Sequence, residues 1–313
     1  VAPLIIIIII IIVAVSIVCI PTRISALSTT VPIIRPAVLQ PSSSGSRPNE
    51  RCISFDTGDF PLRELVTSAL AGGDNNAFVE IDTLEQLHLF EPEDFCAPGK
   101  IRASNSHNRT PLRRVELLRR ALTERWKGSP QKRIWENEYL PRMVREVVGT
   151  NTMMASQHET SLIYQRAPML RFHVAWPLLD NDDDKNEHDG TIPPRNGRNP
   201  GTLAAVHTDA QYGHPPGEVN FLLPVTQTFG SNSLYVEGAP NRGDFEPFDL
   251  AYGEMMQWSG NNHRHCSPRN ISNSTRVSFD FRVIPGSVWQ QTDTNPYSSF
   301  QLGSYYMDAL ERF

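Results

Sequence analysis

A histidine and a carboxylate two residues apart, His207 and Asp209, open the stretch of this 313-residue chain whose residue types could do chemistry. Residues two apart on a β-strand point to the same face. Ala204-Ala205-Val206-His207-Thr208-Asp209 could therefore present one imidazole and one carboxylate to a common point. A second imidazole from a later strand would complete a facial triad, the donor set that leaves positions open on non-haem Fe(II). Further on comes Arg276-Val277-Ser278. Arg276 and Ser278 again share a strand face, and a planar guanidinium beside a hydroxyl suits bidentate capture of a carboxylate. Together these residues describe an iron site with a dicarboxylate co-substrate. Each piece alone has a plainer reading, His-x-Asp as a surface turn or a core histidine and Arg-x-Ser as a solvated strand face. The specific signal is the ordered set.

The elements that must position this set are short. After His207, strands are predicted over 219–226, 233–236, 253–258, 263–265 and 275–284, with turn residues between. Pro224 predicts an edge strand or a bulge. Ahead of His207, 162–165 and 170–174 read as strands broken at Ala167-Pro168, with Arg171 and His173 on one face, taken as outer surface. Strands of this length and spacing predict a sandwich or barrel rather than a βαβ sheet. The last strand places Val277, Phe279, Phe281 and Val283 on one face and Arg276, Ser278, Asp280 and Arg282 on the other. Polar side chains turned inward make sense if helices cover the outside. Residues 52–160 supply such helices, starting near Phe60-Pro61 and Thr83-Leu84 and running over 111–148. There Leu112, Val115, Leu118 and Leu122 recur at three and four, with a break at Gly128-Ser129-Pro130 and an interruption at Pro141. Arg113, Arg114, Arg119 and Arg120 read as the solvated face of that helix rather than a phosphate site. Residues 305–313 predict a closing helix.

Several segments carry a further likeness: His207-Thr208-Asp209, Tyr212-Gly213-His214, Gly217-Glu218-Val219-Asn220-Phe221, Asn232-Ser233-Leu234-Tyr235-Val236-Glu237, Gly260-Asn261, His265, residues 275–285 and Tyr305-Tyr306. In these the chain resembles the Fe(II)/2-oxoglutarate-dependent oxygenases, and within them the StrG-like proteins of streptomycin biosynthesis. The likeness covers roughly 162–306, about half of the chain, and the acidic insertion 180–197 looks foreign to it. It implies a mainly β fold with flanking helices, a double-stranded β-helix (jelly-roll, cupin-like) core over 161–313. It implies His207, Asp209 and His265 as ligands of Fe(II), and Arg276 and Ser278 as holders of the far carboxylate of 2-oxoglutarate, with ascorbate as reductant. Strand parity does not separate His263 from His265; the family's usual spacing of ten or eleven residues to the arginine selects His265. From position, Asn220 is assigned to the co-substrate and Tyr212, His214 and Trp258 to the substrate, with Trp258 packing beneath the metal. The implied reaction oxidises a small polar, sugar-like substrate with release of succinate and CO2. Two rivals remain: a cupin-like metalloenzyme using zinc or manganese without 2-oxoglutarate, and a non-catalytic jelly-roll binding module.

A net charge of −5 and a pI near 6.0 argue against a general nucleic-acid binder. Residues 1–20 are uncharged and almost wholly aliphatic, long enough to span a bilayer, and Ala26-Leu27-Ser28 offers a cleavage site. Residues 1–28 are thus expected to be an anchor or a signal, followed by a Ser/Pro-rich linker over 29–51. The expectation is a secretory-pathway protein, membrane-anchored through this segment or secreted. Sequons at Asn108, Asn270 and Asn273 are compatible with that route, and the latter two are expected on an exposed loop. A Cys52–Cys96 bridge is open to such a compartment. The polar stretch 180–201 reads as a long loop without the ligand pattern of a calcium site.

Overall fold

Alternation along Arg276–Pro285 sets the layering of the chain. Val277, Phe279, Phe281 and Val283 are buried against helices, where Phe279 stacks on Trp135 with centroids 4.1 Å apart and meets Trp126 edge-on. Arg276, Asp280 and Arg282 point the other way and line a cavity between two sheets. The polar-inward strand expected from the sequence is therefore present.

The computed structural model describes residues 50–72, 78–96, 110–151, 161–176, 202–292 and 300–309. The apolar segment, most of the linker, Asn108 and the stretch 180–201 lie outside these residues. Among the described residues no helix is long and apolar enough to cross a membrane.

In chain order the strands are β1 (Arg51–Ser54), β2 (Leu162–Gln165), β3 (Met169–His173), β4 (Ala204–His207), β5 (Val219–Pro224), β6 (Tyr235–Glu237), β7 (Phe245–Pro247), β8 (Glu254–Trp258), β9 (His265–Ser267), β10 (Arg276–Pro285) and β11 (Tyr306–Asp308). One antiparallel sheet has the order β1-β8-β5-β10-β2-β11, with β3 also on β10; a second has the order β4-β9-β6-β7. From β3 to β10 the chain passes back and forth between the sheets, with only β6 and β7 consecutive in one. The fold is thus mainly β with flanking helices, and its strand alternation is the one a double-stranded β-helix requires.

Helices cover one face. Helix α1 (Leu62–Ala71) starts just after Pro61, and α2 (Pro111–Gly128) buries Val115, Leu118, Ala121, Leu122 and Trp126. Ser129 ends α2 and caps the next helix, which begins at Pro130. The helical run continues to Asn151, so Pro141 does not interrupt it. The proline sits in a short α-helical turn between two π-helical turns, Trp135–Tyr139 and Val144–Val148, and such turns relax the hydrogen-bond ladder that a proline breaks. Arg114 is not solvated as expected: it donates to the carbonyls of His88 and Phe90 and to Glu91, stapling α2 to the preceding turns.

Other expectations change or narrow. Pro224 ends β5 inside the sheet rather than at its edge, and the N–H groups of Val225 and Thr226 after it both donate to the Val277 carbonyl (2.8 and 3.2 Å), a bulge, the other expectation for this proline. The closing helix is replaced by β11, where Tyr306-Met307-Asp308 extend the sheet on β2. Among the described residues Cys52 and Cys96 form no disulfide. Asn270 is 1% exposed, with its amide donating to the carbonyls of His173 (2.8 Å) and Ser274 (2.9 Å). Bracing its own loop, it is not the exposed side chain expected; Asn273 is exposed.

Candidate metal centre

His207 is the last residue of β4, and Asp209 the first of a 3-10 turn, Asp209–Tyr212. The two side chains converge although the strand has ended between them. The Asp209 backbone N–H donates to the Gly260 carbonyl at 2.9 Å, which anchors the turn across the barrel. His265, the first residue of β9, lies opposite His207 in register. Each imidazole donates Nδ1–H to a backbone carbonyl, His207 to Ala205 (2.7 Å) and His265 to His263 (3.1 Å). That leaves both Nε2 lone pairs facing Asp209 Oδ1, at 3.8 and 3.6 Å. Two donors each about 2.1 Å from one ion can be at most about 4.2 Å apart, and both separations meet that limit. Backbone-held imidazoles of fixed tautomer are what a metal site needs. His263 sits in the bend before β9 with its ring on the Ser259 carbonyl, outside this cluster.

The carboxylate is held from its other side. Asn220 Nδ2 donates to Asp209 Oδ2 at 2.6 Å and Arg282 Nη2 at 3.1 Å. Burial pushes the Asp209 carboxyl up, but Arg282, the His265 ring and Asn220 outweigh it and hold it at about 2. Burial, reinforced by His207, pulls His265 down to about 3, so its ring is neutral near pH 7. Asn220 also accepts from the Gly260 N–H at 2.8 Å. Both ends of its amide reach protein partners, so it supports Asp209, and it borders the same cavity as the three donors. Gly260 has no room for a side chain, since a Cβ there would stand 2.6 Å from Asp209 Oδ2.

Arg276 is 1% exposed and lines the same cavity, which measures about 40 Å³, room for about three waters. One nitrogen, Nη2, donates to Ser267 Oγ at 3.1 Å. Nε, Nη1 and the buried Ser278 Oγ have no hydrogen-bond partner. Burial pulls the guanidinium down only to about 10, so it remains a cation near pH 7. Arg171 and His173, read from sequence as outer surface, share this side. They pair across to Ser278 and Arg276 on β10, and His173 is buried between the carbonyls of Asn232 and Pro268. The parity was legible; the face was not, because Leu170 and Phe172 take the helix side.

Trp258 is buried edge-on to His265 at 4.6 Å, as expected of a residue beneath the site. Tyr212 is exposed and edge-on to His207 at 5.2 Å, and with His214 it lines an outer chamber of about 580 Å³. His214 Nδ1 lies 2.9 Å from Glu218, which also accepts from Tyr306 at 2.6 Å and lies 3.4 Å from Arg282. Asp209, His214 and Glu218 form a second group of close donors. The Arg282 guanidinium lies against both of its carboxylates, 3.1 Å from Asp209 and 3.4 Å from Glu218. Glu218, Gly260 and Arg282 carry no role in the sequence reading. Arg282 shares the parity of Arg276, and Glu218 lies two residues before Asn220, but Gly260 has no local signal.

No family model matches the chain. It is similar to the streptomycin biosynthesis protein StrG of Streptomyces griseus, 35% identical over 112 residues, which is 35% of this chain and 53% of that protein. The chain thus spans about half the length of this curated relative. Among solved structures, a non-heme monooxygenase determined as a ThoJ–Ni complex aligns with a TM-score of 0.30 and 16% identity over 50% of this chain and 54% of that one.

Proposed function

We propose that the chain is an Fe(II)- and 2-oxoglutarate-dependent oxygenase that oxidises a small polar, sugar-like molecule with release of succinate and CO2. The observation that carries this reading is the buried, charged Arg276, with two free nitrogens and the free Ser278 hydroxyl beside it, in the cavity where His207, Asp209 and His265 meet. A buried cation with so few partners is costly unless an anion completes it. A carboxylate held there would place the other end of a short dicarboxylate toward the three donors. The similarity to a biosynthesis protein supports a small-molecule substrate.

In this reading His207, Asp209 and His265 hold the iron through Nε2, a carboxylate oxygen and Nε2. When bound, iron and 2-oxoglutarate supply oxygen activation coupled to decarboxylation of the co-substrate. The remaining work belongs to the chain. Arg276 and Ser278 orient the co-substrate, Asn220 and Arg282 fix the Asp209 carboxylate, and Trp258 closes the floor against water. Incubating the protein with Fe(II), ascorbate and 2-oxoglutarate and measuring succinate tests the proposal. Metal binding without succinate would instead favour a cupin-like metalloenzyme, and absence of metal binding a non-catalytic module.

A further inference from the structure

The arginines of α2 that read from sequence as a solvated face do not all meet only water. Arg119 lines the outer chamber above the metal site together with Arg171 and His214. Arg119 and Arg120 also line a neighbouring groove of about 470 Å³ between α2 and β3. Chamber and groove share Glu116, Arg119, Arg171 and Leu203, so they form one path. Arg171 borders the inner cavity as well, and Asp280 holds its Nε, which fixes the guanidinium where the three spaces join. Two other cations of the groove are neutralised on the helix: Arg113 pairs with Glu116 (3.6 Å) and Lys127 with Glu124 (3.1 Å). Among the described residues no carboxylate pairs with Arg119 or Arg120. In a chain of net charge −5, two arginines with no paired carboxylate among the described residues, on a path leading to the site, are a selective feature.

We infer that this path binds a phosphate-bearing substrate, with the phosphate held by Arg119 and Arg120 and the body of the molecule reaching past Arg171 toward His207. Two guanidiniums match a doubly charged tetrahedral anion in charge and in forked geometry. The inference rests on the proposed metal site for its direction, but binding at the arginines needs neither iron nor 2-oxoglutarate.

Calorimetric titration of the full chain with phenyl phosphate and with benzoate, without added iron, tests it. Phenyl phosphate should bind at least tenfold more tightly than benzoate, and more weakly as salt is raised. The double substitution Arg119→Gln with Arg120→Gln should weaken phenyl phosphate at least tenfold. Arg133→Gln, a charge removed from an exposed position outside the groove, should leave it unchanged. Equal binding of the two ligands, or equal loss in Arg133→Gln and the double variant, would overturn the inference. Failure here leaves succinate release untouched, and a protein that binds phenyl phosphate but releases no succinate sinks only the oxygenase reading.

Discussion

Asn220 clamps Asp209 by one oxygen: its amide holds Oδ2 at 2.6 Å, while Oδ1 is left facing the Nε2 atoms of His207 and His265. Asn220, with Arg282 on the same oxygen, thus decides which oxygen of the carboxylate is offered. Supports behind a metal ligand are typically worth roughly 10- to 100-fold in metal affinity. Asn220→Ala should therefore weaken Fe(II) or Co(II) binding by roughly that factor while leaving far-ultraviolet circular dichroism unchanged. Wild-type affinity in this variant would show that Arg282 alone orients the carboxylate.

Gly260→Ala should be more damaging to the site than Asn220→Ala. The added Cβ would fall 2.6 Å from Asp209 Oδ2 and 2.7 Å from Asn220 Nδ2, so both side chains must move. Metal titration should show binding lost or reduced beyond the Asn220→Ala effect. Binding equal to wild type would mean that the β8–β9 connection yields instead.

His207→Ala and Arg276→Ala should separate metal from co-substrate. The first removes one of three proposed ligands and should abolish metal-dependent succinate release. The second should keep metal binding and raise the 2-oxoglutarate requirement. Losing a charge-assisted bidentate contact in a dry pocket costs about 2–5 kcal/mol, or roughly thirty-fold to several thousand-fold in affinity. Unchanged co-substrate affinity in Arg276→Ala would reduce Arg276 to a strand-face residue.

Arg276 should also be dispensable for stability. Its guanidinium is buried with a single hydrogen bond, and replacing such a cation by a residue of similar volume is often neutral or stabilising. Arg276→Met, without ligand, should melt at or above the wild-type temperature. A lower melting temperature would mark Arg276 as a structural residue.

Acid should act through Glu237. This fully buried carboxylate on β6 takes two nitrogens of Arg264 and the N–H groups of Gly243 (2.6 Å) and Asn241 (3.1 Å). Burial pushes the carboxyl up, but these donors outweigh it and hold it below its ordinary value of 4.5. A carboxyl lowered in the folded state contributes stability that is fully present above its unfolded value and is lost as pH falls through the folded one. Glu237→Gln should be about 3 kcal/mol less stable than wild type at pH 7, as expected for breaking a buried pair. Denaturant titrations should show that gap closing below pH 4.5; a constant gap would mean the charge contributes nothing.

Local rules carried the sequence reading far where one residue pair decides. Period two along β10 sorted Phe279 from Arg276, and period 3.6 along α2 found Val115, Leu118 and Leu122. The His207, Asp209 and His265 set was legible as an ordered motif, although Asp209 reaches the site from a turn rather than from the strand. What escaped depends on contacts between distant segments. Arg171 and His173 change face only because β3 pairs with β10, and Gly260 matters only because Asp209 and Asn220 close on it. Tyr306 reads as helical until β2 supplies an open edge for it.

The amide of Asn270 gives the fold a stake in the chain's history. Oligosaccharide transfer to a sequon replaces one of the two amide hydrogens and adds a bulky, hydrated chain. Here both hydrogens are used, toward His173 and Ser274, and the side chain is sealed in. Modification and folding at this residue are therefore competing fates. A molecule sugared at Asn270 is barred from this structure, whereas Asn273, three residues on and exposed, can accept a glycan without being consulted by the core. Folded protein from any compartment should carry Asn270 bare.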